Sequence, residues 1–326
     1  MPSIQPFPFG AFVVDAVFLG DTALFALGDG TIRRVKGPAA ESTQVHKGAI
    51  LAAARSLDGK GLITGGDDGV VALTDAAGAV TRVAEHPKKW VDAVAAGPSG
   101  AVAYAIGKQA RVRLGDGTTR TFDHERAAAA LAFAPKGMRL GVARYGGISL
   151  WWPNTDAGAV MLDWKGSHTG ITFSPDGRFV VTSMQENALH GWRLADGSGH
   201  LRMTGYPAKP RSLSWTAKGR FLASSGAEMA VLWPFHFKEG PQGKQPLQIA
   251  ARSALTVKVA CHPSDEAVAI GYADGAVVVS RIPDGESVRV RDPGDGPVTA
   301  LNWDDAGLRL AFGTEQGMAG IIDIRA

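Results

Sequence analysis

The sequence predicts an all-β chain assembled from one repeated hairpin unit, and three observations carry that reading. Short runs in which apolar and polar residues alternate are broken by a tight corner and resume at once, as in "HTGITFSPDGRFVVTS" from His168. The corners return at a nearly constant interval along the chain. Glycine occurs 42 times in 326 residues, the usage expected of a chain that turns tightly and often.

The copies follow one another from end to end. The first, "DAVFLGDTALFALGDG", turns at Asp21 and Thr22. The next four are "AAARSLDGKGLITGG" (corner Gly59), "AVAAGPSGAVAYAIG" (Gly100), "ALAFAPKGMRLGVAR" (Gly137) and the His168 stretch (Gly177). Three more complete the series: "SLSWTAKGRFLASSG" (Gly219), "KVACHPSDEAVAIGY" (Glu266 in the glycine slot) and "ALNWDDAGLRLAFGT" (Gly307). From Gly59 onward the corners are 41, 37, 40, 42, 47 and 41 residues apart. A period of about 40–45 residues suits one four-stranded sheet per copy. The sequence therefore predicts eight four-stranded blades in a single domain over residues 1–326, with seven as the alternative because the first corner lacks glycine.

Composition narrows the function. The chain is 45% hydrophobic and 20% charged, which is globular rather than disordered. The net charge of +3, from 34 basic against 31 acidic residues, is too even to predict a nucleic-acid or membrane partner. One cysteine, Cys261, excludes an intrachain disulfide framework. The opening "MPSIQPFPFGAFVVDAVFLGD" has no basic lead, and Asp15 breaks its apolar stretch, so no secretory signal is expected. The expectation is a cytoplasmic, monomeric protein.

Each copy carries a second signature after its hairpin. A turn such as "GDDG", "YADG" or "QENA" leads into another alternating run, and "GISLWW" and "AVLWPF" end that third strand in tryptophan. With the S-P-D-G corner and a preceding histidine, this pattern resembles the WD40-repeat family over nearly the whole chain. The match is degenerate, since no copy has Trp followed by Asp at that end. The stretches "MQENALHGWRL", "GYPAKPRSLSW" and "WPFHFKEGPQGKQP" further resemble bacterial WD40 proteins of unassigned activity. The resemblance implies a β-propeller, with blades packed radially around a channel. Each blade is too small to bury its own apolar faces, so its neighbours must do so.

Several residues acquire expectations on that scheme. Ile171 and Phe173, Leu131 and Phe133, Leu213 and Trp215, and Leu301 and Trp303 alternate on the inner strands. Cys261 shares the Phe173 slot and is read as a core thiol. The resemblance implies that a histidine before the inner strand braces the Asp of the later turn. His46, His86 and His124 occupy that slot, but only the first copy of the three keeps its aspartate, Asp68. The last copy has a third strand in "MAGIIDIRA" and no residues for a fourth. Ile4–Phe7 is therefore expected beside Met318–Ile322, where Pro6 and Pro8 suit an outermost strand.

The candidate site is a surface. His168 stands only eight residues before Asp176, whereas Trp164 and Tyr206 stand in the bracing slots of adjacent copies. These rings either fill the histidine space or form an aromatic surface, since Trp and Tyr are favoured interaction anchors. The resemblance implies that the loops before the inner strands and the Asp-turns share one face. Lys89, Trp90, Tyr145, Trp164, His168, Gln185, Tyr206 and Arg211 are thereby grouped as a partner-binding patch. A Pro/Gly-rich insertion over about 234–250 is read equally as a binding loop and as a stiffened surface loop.

The predicted function is a noncatalytic scaffold or adaptor for a protein or peptide partner, with no cofactor. No HxxxH or HExxH spacing, G-x-S-x-G elbow or phosphate loop occurs in the sequence. The alternative is a metal-dependent hydrolase or lactonase with its site in the channel, which would gather Glu, Asn and Asp around a divalent cation; Glu186 and Asn187 are adjacent but lie in a turn between strands, with no repeated acidic ring.

Overall fold

The computed structural model describes residues 2–195, 197 and 199–325. Strands dominate throughout, and the only helical element among the described residues is a single 3-10 turn, Pro98–Gly100. The strands form seven sheets, which we number I to VII in chain order. Sheet I covers residues 13–44, II 50–85, III 93–123, IV 130–203, V 213–249, VI 256–291, and VII 298–323 together with Ser3–Pro8. All but sheet IV have four strands, and sheet IV has six.

The expectation of eight four-stranded blades is therefore corrected. The weak first copy is not at fault, because it forms the complete sheet I. The count falls where the fourth and fifth copies merge. In most copies a turn separates the second strand from the third, but here Leu140–Trp151 runs through both as one twelve-residue strand. Gly146 (φ +85°) and Gly147 (φ +136°) carry the chain through in conformations that L side chains avoid. The next loop has also shortened away, so Val160–Phe173 continues unbroken for fourteen residues. The two copies thus share one six-stranded sheet.

By its contacts the chain divides into two compact units, residues 1–25 with 187–189 and 201–326, and residues 26–186 with 190–200. In the first unit the strand Ser3–Pro8 pairs antiparallel with Met318–Asp323, matching Ile4 to Ile322 and Phe7 to Ala319. It occupies the sheet edge, where the absent N–H groups of Pro6 and Pro8 cost no ladder bond. Within each unit the inner strands of neighbouring sheets pack side by side. Thr299 Oγ1 donates to the Val13 carbonyl at 2.6 Å, and the Cys261 amide donates to Ser214 Oγ at 2.9 Å. Val259, Ile270 and Tyr272 of sheet VI bury against Leu232 of sheet V. In the second unit Val102 and Tyr104 of sheet III bury against Ile63 and Val71 of sheet II. Burial between sheets, rather than within one, is what a small sheet with two apolar faces requires.

Candidate interaction face

Antiparallel order places the loop before each inner strand beside the turn between its second and third strands, at the same end of the sheet. Direct bonds tie the two together. The amide of Lys47 donates to Asp68 Oδ2 at 3.0 Å, and the amide of His86 to the Gly69 carbonyl at 2.9 Å. The amides of Gln185, Arg211 and Glu315 repeat the connection through Ser167, Ser225 Oγ and Pro297. Gly69 is obligatory there, with φ at +81° and no room for a Cβ, which would lie 2.0 Å from the His86 carbonyl oxygen.

Beneath this end of the sheets lie the braces. His46 contacts Asp68 Oδ1 at 3.0 Å and Thr64 Oγ1 at 2.8 Å through its two ring nitrogens. Burial works against the Asp68 carboxylate, yet the bonds from His46, Lys47 and Val70 hold its pKa below the ordinary value. His86 reaches the Tyr104 hydroxyl at 3.1 Å, and His124 reaches Ser149 Oγ at 2.8 Å. Burial lowers the pKa of His86, His124 and His168 alike.

The residues grouped as a patch from sequence separate by burial. Lys89, Gln185 and Arg211 are exposed, and Trp90 and Tyr145 stand out at 68% and 59% exposed. Tyr206 is buried. Its hydroxyl lies 2.6 Å from Ser224 Oγ and accepts the Trp233 Nε1–H at 2.6 Å. Ser224 Oγ itself donates to the Val231 carbonyl, so the phenol donates to the serine. Burial lifts the phenol pKa to about 12. Tyr206 thus fills the bracing slot with a different donor. His168 is also fully buried, within the long strand, bonded to Thr182 Oγ1 at 2.7 Å and to the Trp164 carbonyl at 3.0 Å. Trp164 is half-buried and stacks on His190 at 4.1 Å.

Other sequence-derived residues also have structural places. The Cys261 thiol sits 3.4 Å from the Ser214 carbonyl, and burial pushes its pKa to about 12. The insertion leads into the strand Leu247–Ile249. Phe235 is buried there against Trp215 at 4.8 Å, and Lys244 lies 4.6 Å over Phe237. Glu186 accepts the Ser167 amide at 3.0 Å and Asn187 donates to the Pro207 carbonyl at 3.2 Å. Both therefore serve loop geometry. Among the described residues no three His, Cys, Asp or Glu side chains are grouped as a metal would require.

Each unit has a cavity at this end. In the second unit a space of about 500 Å³ opens beside Tyr145, walled by Trp151, Met161, Arg126 and the Arg144–Asp163 pair. In the first unit a space of about 490 Å³ is bounded by Phe12, Arg211, Thr256, Lys258 and Glu315. Only Arg211 of these five was singled out from sequence. Lys258 did leave a signal, as a lone charge within the apolar inner strand "TVKVAC".

No family model matches the chain. A stretch of 68 residues is 35% identical to WD repeat-containing protein 1-B of Xenopus laevis, covering 21% of this chain and 11% of that protein. The matched stretch is thus a small part of that relative. The crystal structure of the computationally designed Ika8 protein superposes with a TM-score of 0.80 at 18% identity, over 97% of each chain. The fold is that of a WD40-like β-propeller. That fold fits an interaction scaffold in general, and no helix among the described residues is long and apolar enough to cross a membrane.

Proposed function

We propose that this propeller is a noncatalytic interaction platform whose protein partner docks on the sheet ends carrying the loops before the inner strands. The observation that supports this most is the exposure of Trp90 and Tyr145, at 68% and 59%. Trp90 leads into sheet III, and Tyr145 lies in sheet IV, whose inner strand packs against that of sheet III. Large aromatics kept in water at a rigid edge serve as anchors, and Tyr145 has a half-apolar cavity beside it. Lys89 and Gln185 supply a polar rim, while His168 and Trp164 support the surface from below.

The test is affinity purification of the tagged chain from its native host, comparing wild type with Trp90→Ala and Tyr145→Ala. Loss of one anchor should cost about 2 kcal/mol of binding while leaving the melting curve unchanged. Retention of the same co-purifying protein by both variants would rule out this face.

A further inference from the structure

The cavity of the first unit has features that the fold does not use. Most arginines of this unit are tied to carboxylates, Arg252 to Asp274 and Arg309 to Asp304 among them. Arg211 and Lys258 line the cavity, and neither side chain makes a hydrogen bond or ion pair with a described residue. Lys258 is the more telling. It projects from an inner strand, half-buried, where a charge gives up part of its hydration without a contact ion pair in return. Asp15 attracts it electrostatically, but burial raises the pKa of that carboxyl, which already accepts the Ala16 amide and Asn302 Nδ2.

A second observation is independent of charge. Thr256 lines the same cavity and is only 1% exposed, and its Oγ1 has no hydrogen-bond partner among the described residues. A buried hydroxyl left unmatched is costly and calls for a partner from outside. The walls are otherwise apolar, from Phe12, Leu255, Val257 and Val298. Lys209 adds a third cation, and Glu315 is the single carboxylate on the wall. Cations in excess, one free hydroxyl donor and an apolar surround match a carboxylate flanked by hydrophobic side chains.

We propose that this cavity receives an acidic residue of a partner peptide, with the carboxylate held by Arg211, Lys258 and the Thr256 hydroxyl, and an adjacent apolar side chain against Phe12. The proposal rests on the reading of the propeller as an interaction platform, and it gives that platform's partner an acidic, partly apolar segment.

Fluorescence anisotropy on the full chain tests it, with a labelled Glu-Glu-Leu-Phe peptide, a Lys-Lys-Leu-Phe control, a single-stranded oligonucleotide and inorganic phosphate as competitors. The acidic peptide should bind saturably and more tightly than the control, weakening as salt is added. Arg211→Gln and Lys258→Gln should each weaken it about tenfold, equivalent to about 1.4 kcal/mol. Glu315→Gln should tighten it by removing a repulsion. Thr256→Val should weaken it while leaving the melting curve level or raised, because no internal bond is lost. Should Lys258→Gln fail to fold, the exposed Arg211 and Glu315 variants still decide the matter.

No saturable binding, or binding that ignores all these substitutions, would overturn the proposal. So would preferential binding of the oligonucleotide or phosphate, which would make the cavity a phosphate site. Failure of the platform reading looks different: Trp90→Ala and Tyr145→Ala would leave partner capture intact, whatever the peptide does here.

Discussion

Tyr206→Phe removes one oxygen from a buried network and nothing else. That oxygen accepts the Trp233 indole N–H and donates to Ser224, both at 2.6 Å. In the variant Trp233, 8% exposed, keeps its N–H without an acceptor, while Ser224 retains its bond to Val231. A stranded buried donor costs about 1–3 kcal/mol, and loss of the second bond moves the total to the upper part of that range. A chain of 326 residues unfolds with an entropy of about 0.7 kcal/mol/K. The melting temperature should therefore fall by about 3–4 °C. Tyr206→Ala opens a cavity as well, at about 3–5 kcal/mol, and should fall by about 4–7 °C. Differential scanning calorimetry of wild type and both variants, in one buffer, measures this. A Tyr206→Phe curve that overlays wild type would show that the network adds nothing, and would reopen the assignment of Tyr206 to a binding surface.

Deleting residues 1–9 strips the outer strand from sheet VII and bares the ladder of Met318–Asp323. The melting temperature should drop and light scattering on heating should rise, since an unpaired edge recruits other chains. Acidification should also destabilise the protein. The folded-state pKa values of His86, His124 and His168 are lowered by burial, so the unfolded chain binds more protons than the folded one. Their contribution is complete above the unfolded value of about 6.5 and is lost as pH falls below it. Urea midpoints measured downward from neutral pH should decline, and His86→Gln should flatten the decline. The Cys261 thiol, pushed to about 12 by its surroundings and partly buried, should react with a thiol reagent far more slowly in the folded protein than after denaturant is added.

Most of the fold could be read from the sequence because its signals are local. Corners, alternation and bracing residues each lie within one copy, so His46, the inner strands and the pairing of Ile4–Phe7 with Met318–Ile322 were all visible. The merger in sheet IV was not, because it comes from shortening two connections at once. The glycine at 137 and that at 177 mark normal corners, and only the geometry of Gly146, Gly147 and Gly166 shows the strands running on. The site was half legible. Position within a copy put Trp90, Tyr145, Trp164, Tyr206 and Arg211 at the end of the sheets that carries the loops before the inner strands. It could not say which rings face water, since Trp90 and Tyr206 occupy similar loops and differ in whether a Ser224–Trp233 pair waits beneath. Lys258, Thr256 and Glu315 belong to two different copies and converge with Phe12 and Arg211 only in three dimensions.

The pairing of Ser3–Pro8 with Met318–Asp323 also sets a timetable. During synthesis the earlier strand leaves the ribosome first, and its partner follows some 310 residues later. At about 5–20 residues per second the wait is about 15–60 s. Throughout that time a short strand with exposed backbone coexists with sheets that have already formed and could accept it wrongly. Pro6 and Pro8 remove two amide donors from the edge that faces away from Met318–Asp323, so a premature partner on that edge meets an interrupted ladder. The prolines that suit the strand to the outer edge of the finished sheet thus leave it a single edge on which to pair while the rest of the chain is made.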